Sequence, residues 1–235
     1  MSSRSVSHSK RSSKYQSSNS TRRIRNKLEL ETAALVESGQ IGSLTPCSFV
    51  HVGEPYTVNR FLHIIDGNDF IEKYDSILRY LNKCNWPSPL CELFSGSSGS
   101  RFNVKKRMKE LRYQRTQAQM LIYLARKTGE QSHKNDKMVG IAQFYYKSSD
   151  MEDHQVLYLD NLCTLQLSKD EKTSSNCKLG NTMLQHLYSI ASTNGVRRLE
   201  LKSFNDNSTS YYKHIGYTEF EPSVPDEYKH FYHDF

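Results

Sequence analysis

The last third of the chain has the clearest pattern of hydrophobic and polar positions. The apolar residues that recur there at helical spacing are Met183, Leu184, Leu187, Ile190 and Ala191. Their spacing predicts an amphipathic helix over 181–193, which Asn194-Gly195 ends. Alternating apolar and charged residues predict a strand over 196–202, and a polar loop, a short helix at 211–214 and a strand after Gly216 follow.

The preceding residues predict further helices and strands. Helical periodicity predicts helices over 25–38, 69–83 and 104–115. Apolar runs predict strands over 47–52, 119–126, 138–146 and 156–166, and Glu54-Pro55 should break the first of them. The whole order predicts a mixed α/β (α+β) fold.

Basic residues are concentrated at the amino terminus. Residues 1–27 contain eight Lys and Arg and no Asp or Glu, so subtracting eight from the net charge of +7 leaves about −1 for the rest of the chain. Ten of the first twenty residues are serine, a composition that buries too little apolar area to fold alone. We therefore expect a disordered, basic, Ser/Arg-rich tail over 1–24 and one folded domain over 25–235.

Three interpretations suit this tail. It is a solvated extension, a basic arm that binds nuclear-import receptors or nucleic acid, or a mitochondrial presequence. The last is disfavoured because few apolar residues precede Thr21. No apolar run approaches the roughly twenty residues that cross a bilayer. We expect a protein of the nucleus and cytoplasm that does not bind membranes, and direct nucleic-acid binding stays open.

The five cysteines are odd in number and lack Cys-x-x-Cys spacing. This pattern predicts reduced thiols, with neither a metal site nor a disulfide framework.

The carboxy-terminal unit resembles the GNAT family of N-acetyltransferases. The resemblance rests on a loop that ends in Lys178-Leu179-Gly180 before a helix, an Asn-containing loop after the next strand, and the turn Tyr211-Tyr212-Lys-His-Ile-Gly216-Tyr217. It implies a GNAT fold, with a central, mixed, mostly antiparallel sheet that contains a splayed parallel strand pair and is flanked by helices. It also implies acetyl-CoA as co-substrate, held in the gap between the splayed strands.

The resemblance also implies which residues bind acetyl-CoA. Helix N-termini bind phosphate through their free amides, and the family's Gln/Arg-x-x-Gly-x-Gly/Ala loop uses such amides for the pyrophosphate. Lys178 replaces the first glycine here, and it either lends its charge to the phosphate or weakens binding. The implied cofactor-binding residues are Leu162, Cys163 and Thr164 on the splayed strand, Lys178, Leu179, Gly180, Asn181 and Thr182 at the helix, and Asn205 and Asn207, which are alternatively turn formers.

Acetyl transfer to an amine requires an oxyanion donor, a proton acceptor for the amine and a proton donor for the thiolate. By resemblance, Tyr212 is the proton donor, unless it is only a core aromatic. The backbone N–H of Leu162 or Cys163 is the candidate oxyanion donor. Asp160 is the best placed carboxylate to accept the proton, unless it is a solvent charge or bonds a loop. His186 is expected on the exposed side of the helix.

A narrower resemblance covers about residues 65–222. A Lys/Arg-rich segment ending in Met108, the strand 121–124 and the run 201–207 are similar to the NatD branch, which acetylates the amino termini of histones. That branch has a catalytic Glu after Val-Leu-Tyr. This chain has Asn161 at the position of the Glu, with Asp160 beside it.

These features predict an acetyl-CoA-dependent protein N-alpha-acetyltransferase whose partner is a protein amino terminus, with a histone tail favoured. One alternative is a GNAT enzyme that modifies lysine or small amines. The other is a catalytically degenerate GNAT-fold protein that works as a binding or scaffold subunit, since the glycine loop and the Glu are altered.

Overall fold

A computed structural model describes residues 47–64, 104–114, 116–132, 136–165, 167, 170, 178–222, 224 and 226–235. The predicted tail over 1–24 and the predicted helices over 25–38 and 69–83 lie outside these residues, as does the proposed domain boundary at residue 25.

The described residues form eight strands and three helices. The strands are β1 (Cys47–His51), β2 (Glu54–Ile64), β3 (Gln119–Lys127), β4 (Lys137–Ser148), β5 (Gln155–Thr164), β6 (Arg198–Ser203), β7 (Thr218–Phe220) and β8 (Lys229–Asp234). The helices are α1 (Val104–Tyr113), α2 (Leu179–Thr193) and α3 (Asp206–His214). No helix among these residues is long and apolar enough to cross a membrane.

All eight strands join one sheet in the order β1-β2-β3-β4-β5-β6-β8-β7. Neighbouring strands are antiparallel except β5 and β6, which are parallel. The predicted fold class, a mixed and mostly antiparallel sheet flanked by helices, is therefore confirmed.

The parallel pair is short. It joins 157–159 of β5 to 199–201 of β6, with Leu159 opposite Leu201 as the last pair. Beyond that pair β5 continues along β4 to Thr164, while β6 continues along β8 to Ser203. The two strands therefore diverge toward their carboxyl ends, as predicted, and we call the point where they part the fork.

A β-bulge lies at the fork. On β4, Gln143 is opposite Asn161 and the next residue, Phe144, is opposite Leu159, so Asp160 is the extra residue of β5. A bulge bends its strand and redirects the side chains around it. Here it bends β5 away from β6 at the first residue beyond their last pair.

The prediction that Glu54-Pro55 ends a strand is wrong. Val52 and Gly53 have φ values of 50° and 75° and form a two-residue hairpin turn, so β2 begins at Glu54. Such turns require a left-handed backbone, which glycine adopts easily. Pro55 is tolerated because it lies at the start of the strand.

Helix α2 packs on the sheet through Met183, whose Sδ would lie 2.6 Å from a methyl group placed at Gly140 of β4. A side chain at residue 140 would therefore displace the end of the flexible Met183 side chain. Leu157, Leu159, Leu199 and Leu201 belong to the same hydrophobic cluster as the buried face of α2, which fixes this helix over the parallel pair.

The prediction of reduced thiols is wrong for Cys47. Cys47 is disulfide-bonded, whereas Cys163 is a free, half-buried thiol.

Candidate functional site

The fork separates two differently built faces of the sheet. Leu159 and Leu201, the last pair, face the hydrophobic cluster shared with α2. Because side chains alternate along a strand, the next residues, Asp160 and Lys202, point to the opposite face. Both of them line a cleft there.

Tyr212 of α3 lies on the helical face, where it is 8% exposed. Its ring packs near those of Tyr217 and Phe231, at centroid distances of 5.3 and 6.1 Å. Burial raises the pKa of the Tyr212 phenol well above its usual range, and the neighbouring Tyr211 and Cys163 raise it further. The phenol therefore keeps its proton at neutral pH.

The Tyr212 hydroxyl makes no hydrogen bond to any described residue. Tyr188 and Tyr217, its buried neighbours, satisfy each other with a hydroxyl–hydroxyl distance of 2.7 Å. Tyr212 is thus both a core aromatic, as the alternative interpretation held, and a side chain with a proton to donate near Cys163 of β5.

The amino terminus of α2 has the geometry of an anion site. Its N-cap residue, Lys178, has φ −97° and an exposed side chain, so no left-handed glycine is needed at this position. The Thr182 N–H donates to the Lys178 carbonyl at 3.0 Å. The N–H groups of residues 179–181, which include Leu179, precede the first helical donor, Thr182, and are the free amides that a phosphate could bind.

Gly180 faces Tyr211 across this helix start. A methyl group at Gly180 would lie 2.9 Å from the Tyr211 hydroxyl. That hydroxyl donates to Asn181 Oδ1 at 2.7 Å, which ties α3 to the first turn of α2. The predicted residue Tyr212 and the predicted Gly180 loop are therefore linked through Tyr211.

The Asn residues after β6 have different positions. Asn205 is the N-cap of α3, and its side chain accepts a hydrogen bond from the Ser208 N–H at 2.9 Å. Asn207 lies exposed in the first turn. The turn-forming alternative is thus confirmed for Asn205, and cofactor contact by either residue stays a prediction.

Residues of β5 beyond the fork have an open edge. Leu162, Cys163 and Thr164 pair with β4 on one side, and β6 no longer pairs with them on the other. Burial raises the pKa of the Cys163 thiol to about 11. Backbone groups on this edge are available to a ligand that enters the gap.

Asp160 is bound by Arg107 of α1. The guanidinium donates from Nε to Oδ2 at 2.9 Å and from Nη2 to Oδ1 at 2.7 Å. The Asp160 side chain is 8% exposed and that of Arg107 is 28% exposed. This bidentate bond raises the pKa of Arg107 well above its usual range, against the opposing effect of burial.

Asn161, at the position of the family's Glu, has a different environment. Its side-chain Nδ2 is buried and finds no hydrogen-bond partner among the described residues. An amide cannot accept the proton of an amine as a carboxylate does. Asn161 can only donate or accept a hydrogen bond at this site.

The cleft on the Asp160 face has a volume of about 540 Å³. In its lining Tyr145 and Tyr158 pair across β4 and β5 with their ring centroids 5.1 Å apart. Phe204 and Tyr228, also in the lining, make an edge-to-face contact at 4.9 Å. Two aromatic pairs therefore contribute to the cleft.

Three ion pairs occupy the cleft besides these rings. Arg107 bonds Asp160, as described. The Lys147 ammonium donates to Asp150 at 2.6 Å and lies 4.5 Å from the centre of the Tyr158 ring. Lys202 bonds Asp226.

Asp226 also accepts a hydrogen bond from the Tyr228 N–H at 2.8 Å, and its Oδ1 lies 3.0 Å from Nε2 of His230. Burial opposes ionisation of Asp226, but the interactions with Lys202, Tyr228 and His230 prevail and hold its pKa well below the usual range. These contacts tie residues 226–228 to the sheet and form one wall of the cleft.

Sequence patterns did not single out Arg107, Lys202 or the aromatic pairs. Arg107 is one of six basic residues in the predicted helix over 104–115, and only the fold brings it to β5. Tyr145 and Tyr158 are recognisable once the register of β4 and β5 is known.

The prediction that His186 is exposed is wrong. It is 3% exposed, and its Nδ1 lies 2.7 Å from the Tyr123 hydroxyl. Burial lowers the pKa of His186 to about 4, with a further contribution from His63. Phe61, at a ring distance of 4.4 Å, completes this pocket, which explains why a polar residue lies inside the helix face.

No protein-family model matches the sequence, and no curated protein does. The chain is similar to several solved structures. The PaiA N-acetyltransferase from Thermoplasma acidophilum in complex with coenzyme A has 11% identity and a TM-score of 0.39, over 75% of this chain and 100% of that one.

An acetyltransferase from Thermus thermophilus has 14% identity and a TM-score of 0.43, over 76% of this chain and 99% of that one. AtaTR bound with AcCoA has 11% identity and a TM-score of 0.42, over 74% of this chain and 92% of that one. At such identities and TM-scores, these similarities establish neither a family nor an activity for this chain.

Proposed function

We propose that this protein transfers an acetyl group from acetyl-CoA to a primary amine. The observation that carries the proposal is the fork. It has an unpaired, protonated tyrosine hydroxyl on one face and a cleft on the other, so two substrates can meet between β5 and β6 from opposite sides.

Acetyl-CoA fits the helical face. Its amide-containing arm would pair with the open edge of β5 at 162–164, as a further strand would. Its pyrophosphate would bind the free amides of residues 179–181, where the dipole of the 15-residue helix α2 favours anions. Gly180 leaves that approach clear, and the exposed Lys178 adds a positive charge.

The reaction requires the neutral amine to attack the thioester carbonyl carbon. The C–N bond forms, the C–S bond breaks, the amine loses one proton and the thiolate gains one. A backbone N–H of Leu162 or Cys163 stabilises the oxyanion. Tyr212 gives its proton to the departing thiolate and recovers one as the site returns to rest.

The high pKa of Tyr212 suits this role because the thiolate forms in the same buried surroundings. Cys163, a thiol in that region, has its pKa raised to about 11. A thiolate that leaves in such surroundings is more basic than it would be in water, which reduces the difference in pKa between the thiol and the buried phenol.

Asp160 accepts the proton of the amine, directly or through water. Each carboxylate oxygen has two lone pairs, so the two bonds from Arg107 leave acceptor capacity on both oxygens. An α-amino group has a pKa of about 8 and a lysine about 10.4, so a weak base serves the first more easily.

This chemistry admits several acceptors. They include the protein amino terminus that the NatD resemblance implies, with a histone tail as one example, and also small amines and lysine.

The test of the proposed function is acetyl-CoA binding by calorimetry together with the release of coenzyme A in the presence of amines. We expect binding and amine-dependent release. A protein that does not bind acetyl-CoA contradicts the proposal.

Tyr212→Phe separates catalysis from binding. We expect kcat to fall roughly 100-fold, the low end of acid–base contributions, with an unchanged Kd for acetyl-CoA. Tyr113→Phe is the matched control, since Tyr113 is 91% exposed on α1. Equal rates for all three proteins would remove Tyr212 from the mechanism.

A further inference from the structure

We infer that the cleft on the Asp160 face binds the acceptor, and that this acceptor is a small primary amine on an aromatic or branched aliphatic body with no second charge. The inference rests on the proposed function and names the substrate class for the same site. Four observations on the cleft support it: its position at the fork, the pairing of its charged side chains, its apolar lining and its volume.

The cleft begins where the sheet opens. Asp160 and Lys202 are the first residues of β5 and β6 beyond the last pair, and both line the cleft. An amine in the cleft therefore reaches the gap from the face opposite Tyr212. No other pair of residues in the described part of the sheet flanks a parting of parallel strands.

In the cleft, the charged side chains of Arg107, Lys147 and Lys202 are each paired with a carboxylate of the lining before any substrate enters. Its lining has three cations, Arg107, Lys147 and Lys202, and three carboxylates, Asp160, Asp150 and Asp226, each bonded to one of these cations. A fourth carboxylate, Glu200, is buried beneath the lining and bonds Ser149 at 2.6 Å, with Lys147 at 3.5 Å.

Paired charges disfavour a highly charged acceptor. A polyamine or a basic peptide would bring several cations to carboxylates that are already paired, and desolvating an unpaired cation is costly. A phosphorylated or carboxylated amine meets cations that are equally occupied. An amine with a single charge incurs the cost of desolvation only once.

The lining offers apolar contact instead. Phe204 is 60% exposed and Val224 is 77% exposed, although both are large and hydrophobic. Together with Pro222 and Tyr228 they form an apolar rim beside the fork. Burying such a rim against an aromatic or branched body yields roughly 25 cal/mol per Å² of apolar area.

The volume suits a small molecule. About 540 Å³ lies within the roughly 300–1,000 Å³ of pockets that enclose ligands of drug size. An aromatic body with a short amine arm fits such a space, with its ring at the apolar rim and its nitrogen near Asp160.

Binding without turnover tests the inference. The full-length protein, saturated with unreactive coenzyme A, is titrated by calorimetry with phenethylamine, with spermidine and with a basic pentapeptide that has a free amino terminus. We expect phenethylamine to bind at least tenfold more tightly than the other two. Equal or reversed affinities overturn the inference.

Substitutions at the rim locate the site. Val224→Asp adds an unpaired carboxylate at an exposed position where unfolding is not expected, and it should weaken phenethylamine binding about tenfold while improving that of spermidine. Phe204→Ala should weaken phenethylamine binding several-fold. Tyr113→Ala, on an exposed ring outside the cleft, should change neither. A Val224→Asp protein with wild-type affinities for both amines overturns the assignment.

Two further outcomes distinguish a failure of this inference from a failure of the proposed function. Tight phenethylamine binding without acetylation from acetyl-CoA contradicts the proposed function and leaves the cleft assignment standing. Acetylation that favours the basic peptide supports the function and overturns the substrate class. A dipeptide with an amino-terminal Phe that binds tenfold more tightly than phenethylamine overturns the small-molecule assignment in favour of a polypeptide.

Discussion

The two faces of the sheet at the fork are stabilised by different interactions. On the helical face, Leu159, Leu201 and the tyrosines of α3 pack in a continuous apolar cluster, and polar atoms are few. On the cleft face, the next residues are charged and held by ion pairs.

Under the proposed function, this difference would let one structure bind two unlike substrates. The apolar face raises the pKa of the Tyr212 phenol and keeps it protonated. On the charged face, Arg107 holds the Asp160 carboxylate in place through two hydrogen bonds. Alternation along β5 and β6 puts both properties one residue apart, so the chemistry can take place where the strands separate.

The largest effect is expected on the charged face, from Arg107→Met. Removing this partner leaves the Asp160 carboxylate, 8% exposed, without its bidentate donor. A fully buried pair broken in this way costs about 3–5 kcal/mol, and because Arg107 is 28% exposed we expect a loss of about 2 kcal/mol in the free energy of unfolding. Urea denaturation measures it.

Lys109→Met on the same helix is the control, since Lys109 is exposed and removes a charge without breaking the pair. Adding Asp160→Leu to Arg107→Met should recover part of the loss. If the two single variants were equally stable, the pair would add nothing to this face.

The next largest effect is expected on the helical face, from Gly180→Asp. The new side chain meets the Tyr211 hydroxyl, which a methyl group alone would approach to 2.9 Å, and it puts a negative charge beside the free amides of α2. We expect the Kd for acetyl-CoA to rise at least tenfold, about 1.4 kcal/mol, by calorimetry. Ser189→Asp, exposed on the same helix, should leave it unchanged. An unaltered Kd in Gly180→Asp would remove this loop from the site.

A smaller effect, also on the helical face, depends on pH. Burial lowers the pKa of His186 to about 4 from a usual value of 6.5, so the unfolded chain binds a proton that the folded protein rejects between these values. Stability is complete above pH 6.5 and falls as the pH drops toward 4. We expect a loss of about 1 kcal/mol from this residue between pH 7 and 5.5.

His186→Gln should flatten that part of the profile, as thermal unfolding at several pH values would show. His63 has its pKa lowered mainly by burial and should retain its own contribution. An identical pH dependence in both proteins would mean that His186 does not titrate on unfolding.

The smallest effect is expected from Asp160→Asn. Without the carboxylate, the amine must lose its proton to bulk water, so the pH–rate profile for kcat/KM should move to higher pH, by up to about one unit. The rates are compared at equal folded fraction, because Arg107 loses its partner. A profile that stays in place would assign Asp160 a structural role alone.

Much of the carboxy-terminal half could be predicted because its elements are locally encoded. The helix expected over 181–193 is α2, and the strands expected over 119–126 and 138–146 are β3 and β4 with one or two residues added at their ends. In each of these elements, the apolar residues of the sequence pattern are the ones that the fold buries. Local preference and tertiary packing therefore favour the same structure.

Other elements could not be predicted from local patterns. Helix α3 begins at Asp206 rather than near Tyr211, because the Asn205 side chain caps a turn of weak helix formers. Strand β8 inserts between β6 and β7, a placement that depends on pairing with distant residues and not on its own sequence.

The residues of the candidate site also fall into two groups, those that the sequence identifies and those that only the tertiary structure brings together. Tyr212, Gly180 and Asp160 stand in recognisable patterns, so the sequence alone could nominate them. Arg107 could not be identified from the sequence, because the pattern that predicts α1 does not distinguish one of its basic residues from another. Only the tertiary structure brings Arg107 to Asp160 of β5. The cleft likewise requires Tyr158, Lys202 and Asp226, which come from separate segments, to share one surface.

The amino-acid sequence by itself determined which face of β5 and β6 is apolar and which is charged. Successive side chains of a strand point to opposite faces, so the order of neighbouring residues is enough to assign the faces. Only the tertiary structure decided where those strands stop pairing. The bulge at Asp160 and the competing partners β4 and β8 set that point, and both depend on hydrogen bonds between residues far apart in the chain. A site at a parting of strands is therefore a property of the sheet's register, which short-range patterns do not encode.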